Sequence, residues 1–197
     1  MSLFELIYIL GFAVATFIRS YYGLQFKRSN IVAKDVEHPL VYVGMALWGI
    51  VLLLPFASIF SGWIAFADYP AVAGLQMVGV LVFVSGLWVL RCSHMDLGKN
   101  FSPSLFIRDH HQLVTHGIYQ RIRHPMYLSF LMWAVGQALL INNWLAGPLG
   151  IIAFLFIYGF RIEREEQQLL DTFGDQYRKY QQKSGRLLPR LYKSSCN

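Results

Sequence analysis

Arg161 directly follows an apolar run, and Glu165 stands four residues later. On a helix that continues past a membrane surface, this spacing puts a guanidinium and a carboxylate on one face. Glu163, Arg164 and Glu166 surround the pair. A guanidinium offers a planar fork to a carboxylate, which lysine does less well, so Arg161 is a candidate for orienting an anionic group. The bland alternative is an interfacial salt-bridge network, worth ~0–1 kcal/mol when exposed. A second polar group, Ile122-Arg123-His124-Pro125-Met126-Tyr127, opens another apolar run. Proline is favoured at the first helical position, and the free N–H groups of that turn attract anions. The bland alternative here is a capped helix with interfacial anchors. A third group holds His110, His111 and His116. Its spacing has no HExxH or CxxC pattern, and no metal is expected. A Rossmann glycine fingerprint after a strand, a P-loop and a GxSxG elbow are also missing.

What must position these groups is read from composition. Of 197 residues, 55% are hydrophobic and only 14% charged, against roughly a quarter charged in a typical soluble domain. Mean hydropathy is +0.42. These values exclude a disordered chain and argue against an ordinary soluble globule. Two cysteines exclude a disulfide scaffold. The expectation is an all-α polytopic membrane protein with about five spans.

The apolar runs are Leu3 to Ile18, Pro39 to about Phe66, Ala71 to Leu90, Pro125 to Ile141 and Trp144 to Phe160. No cation precedes the first, so it reads as a retained anchor helix rather than a secretory signal. Pro55 is expected to kink the second. Gly74, Gly79, Ser85 and Gly86 in the third would let backbones approach closely. The last two runs are short and are expected to form a packed hairpin about an Asn142-Asn143 turn. Alternating the sides puts all 17 Lys and Arg residues in segments 19–38, 91–124 and 161–197. That segregation, and not nucleic acid, accounts for the net charge of +6, and it places the N-terminus outside and the C-terminus in the cytosol. Residues 1–90 read as a three-helix membrane part and 91–197 as a catalytic part of one integrated domain. In the tail, Leu169, Leu170, Phe173, Tyr177 and Tyr180 share one helical face, and Gly174 marks a turn between two short helices. Such a tail is either a surface helix on the membrane or a lid over a site.

At these same residues the chain resembles a known family. The ordered pieces are Leu97-Gly98-Lys99-Asn100-Phe101, His111-Gln112-Leu113-Val114, Gly117-Ile118-Tyr119 and Arg123-His124-Pro125-Met126-Tyr127, followed by Asn143, Arg161, Glu165-Glu166, Phe173-Gly174-Asp175-Gln176-Tyr177 and Tyr180. Over about residues 97–190 this is similar to the isoprenylcysteine carboxyl methyltransferases, part of a wider group with phospholipid methyltransferases. The resemblance implies a membrane methyltransferase that uses S-adenosylmethionine without a Rossmann domain. Its cofactor would lie in a cytosol-facing pocket built by the last two spans, the loop before them and the tail. Carried over, His111, Gln112, Leu113 and Val114 would hold the cofactor, with Gly117, Tyr119, His124, Pro125, Met126, Tyr127 and Glu165 continuing its site. Arg161 would bind the substrate and, with Glu165, form the catalytic pair. The implied acceptor is the carboxylate of a prenylated cysteine or a similar amphiphile entering from the bilayer. The implied location is the plasma membrane of a prokaryote or the endoplasmic reticulum of a eukaryote. The alternatives are a lipid N- or O-methyltransferase and a small transporter or scaffold. A transporter should carry ionisable groups at mid-membrane, where this chain has mainly Gln76 and Gln137.

Overall fold

A computed structural model describes residues 1–27, 31–34, 39–98, 101, 106–108 and 112–190. Six helices dominate: α1 (Leu3–Lys27), α2 (Pro39–Ser61), α3 (Ala73–Leu97), α4 (Pro125–Leu140), α5 (Leu149–Phe173) and α6 (Asp175–Lys183). The all-α expectation needs one amendment. Strands β1 (Ile31–Lys34) and β2 (Phe106–Arg108) pair antiparallel; segments so short carry no periodicity that would mark them in a sequence. Helices α1, α2 and α3 are long and apolar enough to cross a membrane. Helix α4 has 16 residues, and α5 has 25 with its polar half beyond Phe160.

Several helices overrun or undershoot their apolar runs. α1 and α3 continue past Ile18 and Leu90 to Lys27 and Leu97, because hydrogen bonding within a helix does not stop where hydropathy does. α2 ends at Ser61, and Gly62 follows with a φ of 66°. α5 starts at Leu149 rather than Trp144, because Asn143 organises the residues before it. The Asn143 Oδ1 accepts from the N–H groups of Leu145 and Ala146, while its Nδ2 donates to Asp68 and to the Ile64 carbonyl.

Among the described residues, α3 and α4 share the most extensive helix–helix contact. A Cβ on Gly136 would come within 2.9 Å of the Phe83 Cα, and one on Gly79 within 2.8 Å of the Leu139 Cβ. The close approach expected of Gly79 and Gly86 is present, whereas Gly74 faces no neighbour. Around the α3–α4 seam, Tyr8, Phe83, Leu90, Trp133 and Leu140 make the main core, with α1 packed on α3 and α4. α2 packs on α5, and Trp48, Tyr127, Phe154 and Ile162 share a second apolar cluster.

The two mid-helix glutamines serve the fold. Pro55 has no N–H, so the Val51 carbonyl lacks its helical partner. Gln137 Nε2 donates to that carbonyl and to Ala146, while Gln137 Oε1 and the Leu52 carbonyl share the single proton of the Tyr8 hydroxyl. One buried amide therefore joins α1, α2, α4 and the turn before α5. Gln76 Nε2 donates to the Leu140 carbonyl and to Asn142 at the end of α4. Replacing Gln137 by leucine strands the Val51 and Ala146 carbonyls in an apolar core, an expected loss of about 2–4 kcal/mol. Thermal melting in detergent should show a midpoint lower by several degrees, and an unchanged midpoint would contradict this account.

Candidate active site at the polar end of the bundle

The site is built where α5 outlasts its apolar half. Past Phe160 the helix keeps its period, so Arg161, Glu165 and Glu166 are held on a rigid rod rather than on a loop. Opposite them, α4 begins with Pro125 at its first position and His124 just before it. The loop leading to α4 is itself anchored. Gly117, at a φ of 59°, opens a short 3-10 turn over residues 117–120, and the Ile118 N–H donates to Asp96 Oδ2 at 2.7 Å. A Cβ on Gly117 would sit 2.0 Å from that carboxylate oxygen, so glycine is required on two counts. This turn carries Tyr119, which is buried.

The imidazole of His124 lies between two adjacent carboxylates. Its Nε2 donates to Glu166 Oε1 at 3.3 Å, and its Nδ1 is 3.7 Å from Glu165 Oε1. The Tyr127 hydroxyl, one turn into α4, donates to Glu165 Oε2 at 2.8 Å. Arg161 Nε is 3.9 Å from that same oxygen, a contact of charge rather than a hydrogen bond. Glu166 is the hub. Arg123 Nε donates to its Oε1 at 2.9 Å, and Arg186 approaches its Oε2 through Nε at 2.9 Å and Nη2 at 2.7 Å.

The electrostatics follow from this geometry. Burial works against a charged imidazole, but the carboxylates of Glu165 and Glu166 outweigh it and raise the His124 pKa. Burial also works against the Glu165 carboxylate. His124, Arg161 and the Tyr127 hydroxyl outweigh that penalty and hold it at about 2. Glu166 is held at about 2 in the same way by His124, Arg186 and Arg123.

The chain after α6 closes one side. Gly185 N–H donates to the Arg121 carbonyl, Arg123 N–H to Gly185, and His124 N–H to Arg186, so the tail lies beside the approach to α4 as a parallel bridge. Arg123 Nη1 reaches the carbonyls of Gln181 and Ser184. The Tyr180 hydroxyl donates to the Tyr119 carbonyl, and Leu187 packs on the Tyr127 and Phe154 cluster. Tyr177 is fully buried beside this network, and its hydroxyl has no partner among the described residues. The expected turn at Gly174 is present, with a φ of 52°, but the helix before it is the long α5 and not a separate short one.

Of the residues singled out from sequence, Arg161, Glu165, His124 and Tyr127 come together, and Tyr119 lies within electrostatic reach of Glu165. Gln112, Leu113 and Val114 lie in the approach to the 3-10 turn, exposed at Gln112 and buried at Val114. Pro125 is buried as the first residue of α4. The Met126 side chain packs against the main core. His111 and its neighbour His110 lie outside the described residues. Sequence reasoning missed the roles of Glu166, Asp96 and Arg186. For Glu166 a signal existed. It sits four residues after Ile162 and three before Leu169, inside an apolar stripe, where a carboxylate demands partners.

A bundle with three membrane-length helices and a polar cluster at one end is the architecture of an integral membrane protein. The model of the isoprenylcysteine carboxyl methyltransferase family matches residues 77–171, just under half of the chain. A probable protein-S-isoprenylcysteine O-methyltransferase of Oryza sativa subsp. indica is 35% identical over 121 residues, 58% of this chain and 61% of that protein. The protein-S-isoprenylcysteine O-methyltransferase of Xenopus laevis is 29% identical over 66% of this chain and 48% of its own length. The solved structure of the eukaryotic intramembrane Ras methyltransferase, isoprenylcysteine carboxyl methyltransferase, superposes with a TM-score of 0.55 at 27% identity, covering 79% of this chain and 55% of that one. The chain thus spans about half to three fifths of the relatives it matches.

Proposed function

We propose that this protein is a membrane methyltransferase that esterifies the carboxylate of a prenylated cysteine or a similar amphiphile, using S-adenosylmethionine. The observation that carries the reading is the convergence of Arg161, Glu165, His124 and Tyr127 at the edge of the bundle, all inside the matched segment.

The residues fit the methyl donor. Glu165 is a carboxylate with 27% of its side chain exposed, able to accept from hydroxyl or ammonium donors. The buried Tyr177 hydroxyl, without a partner among the described residues, and the backbone of residues 112–114 offer further polar groups. His111 to Val114, Gly117, Tyr119, His124 to Tyr127 and Glu165 would hold the cofactor, with Met126 contributing through its backbone. When bound, the sulfonium supplies a methyl group that an in-line oxygen nucleophile can take.

The chain's task is placement. A carboxylate acceptor is ionised at pH 7 and needs no strong base. The two glutamates, held at about 2, are weak bases at pH 7. An amine acceptor would have to lose a proton first, so this cluster favours the carboxylate over the lipid-amine alternative. Arg161 would hold the acceptor's carboxylate by charge, orienting it at about 3–3.5 Å from the methyl carbon. The helix hairpin and the tail would exclude water.

The same reading includes five membrane crossings, with the cluster on the cytosolic side, where all 17 cations then lie. Calorimetric titration of the detergent-purified protein with S-adenosylhomocysteine is expected to give saturable 1:1 binding. A folded sample that binds none would refute the assignment.

A further inference from the structure

We propose that Arg19 is a second positioning residue for the acceptor, forming with Arg161 a two-guanidinium clamp on its anionic group. The proposal deepens the methyltransferase reading and rests on it.

Arg19 lies on α1, within a span that is otherwise apolar for many residues. Its guanidinium carbon sits 5.0 Å from the centroid of the Phe130 ring on α4. A ring face steadies a guanidinium without neutralising it. Phe130 is three residues after Tyr127, and Arg161 is four residues before Glu165. Because α4 starts and α5 ends at the polar end of the bundle, both steps run inward by about one helical turn. Arg19 therefore stands level with Arg161, one turn below the Tyr127–Glu165 hydrogen bond. The two cations are close enough to act on each other, and Arg19 also acts on His94.

None of these neighbours is an anion. Glu165 lies beside Arg161 but also serves His124 and Tyr127, and Arg19 has no carboxylate partner among the described residues. An arginine held on a ring at a membrane edge, beside a second arginine and with no carboxylate partner of its own among the described residues, is suited to an anion that comes and goes. The matching chemistry is an oxyanion on an amphiphile, either the acceptor carboxylate or a lipid phosphate. The position favours the carboxylate, since the clamp lies next to the residues assigned to the transfer. It would also give the site a direction. The acid meets two cations, whereas its methyl ester carries no charge and loses both.

The test compares wild type, Arg19→Gln and Arg19→Lys in lipid-free detergent, with an S-prenylcysteine and its methyl ester as probes. Arg19→Gln is expected to raise KM for the acid by about tenfold or more. It should leave kcat and S-adenosylhomocysteine binding little changed, and shrink the preference for acid over ester by the same factor. Arg19→Lys should recover part of that preference, and serves if the glutamine variant does not fold. An acid-over-ester preference equal to wild type in both variants overturns the proposal. So does an intact preference combined with loss of stimulation by added phosphatidylglycerol, which would assign Arg19 to a lipid phosphate. Wild type that binds neither probe would instead refute the activity reading.

Discussion

Arg161→Ala is expected to lower methyl transfer by a factor of about a hundred or more while the protein stays folded, because orientation is the main thing the site must supply. The variant loses the group assigned to the acceptor but leaves the scaffold. Glu165 keeps its hydrogen bond from Tyr127 and its contact with His124, and Glu166 keeps both arginines. Binding of S-adenosylhomocysteine and the melting midpoint should therefore stay near wild type. Arg161→Lys should fall between, since a lysine keeps the charge and loses the planar fork. Product formation by isotope transfer, measured beside calorimetry on the same preparation, separates the two effects. Wild-type turnover in Arg161→Ala would remove Arg161 from the reaction. Equal loss of turnover and of S-adenosylhomocysteine binding would move it from the acceptor to the donor.

Much of this arrangement is legible without coordinates, for physical reasons. The membrane-length helices declare themselves by hydropathy, and the Arg161–Glu165 spacing needs only the helical period. The helix bounds are less legible. Backbone hydrogen bonding carries α1, α3 and α5 beyond their apolar cores, and an Asn143 side chain delays the start of α5 by five residues. Gln76 and Gln137 stand out as polar exceptions in sequence, but their purpose depends on carbonyls 51 and 140 of other helices, which no local pattern reveals. The tail after α6 is the least legible part. Residues 184–187 show no period, because their backbone pairs with residues 121–124 rather than with themselves. The Arg186 partnership with Glu166 spans 20 positions and follows from that pairing.

This cross-chain hub predicts a different phenotype from that of Arg161. Glu166→Gln should destabilise the protein by about 3–5 kcal/mol, the usual result of removing one partner from a buried ionic network. The carboxylate is only 8% exposed and serves Arg123, His124 and Arg186 together, whereas a glutamine carries no charge and one acceptor oxygen. The fold near α4 should survive through its apolar packing, while the tail should come loose, since Arg186 joins it to α5. Limited trypsin digestion reads this directly, because Lys183, Arg186 and Arg190 all lie in or beside the strap. Faster cleavage there than in wild type is the expected result. Its pH dependence carries the sign of the network. Glu165 and Glu166 are depressed to about 2, so their contribution is complete above the unfolded carboxylate range near 4.3 and is lost as pH falls from there through about 2. His124 is raised, so its contribution is complete below about 6.5 and is lost as pH rises through its folded value. Wild-type protection of the tail, read by hydrogen exchange at residues 184–187 after correction for intrinsic rates, should therefore be greatest between about pH 4.5 and 6.5. In Glu166→Gln the His124 pKa falls with the loss of one carboxylate, so the decline on the alkaline side should be smaller and end at lower pH. Identical protection curves for the two proteins would show that the strap is held by its backbone pairing alone.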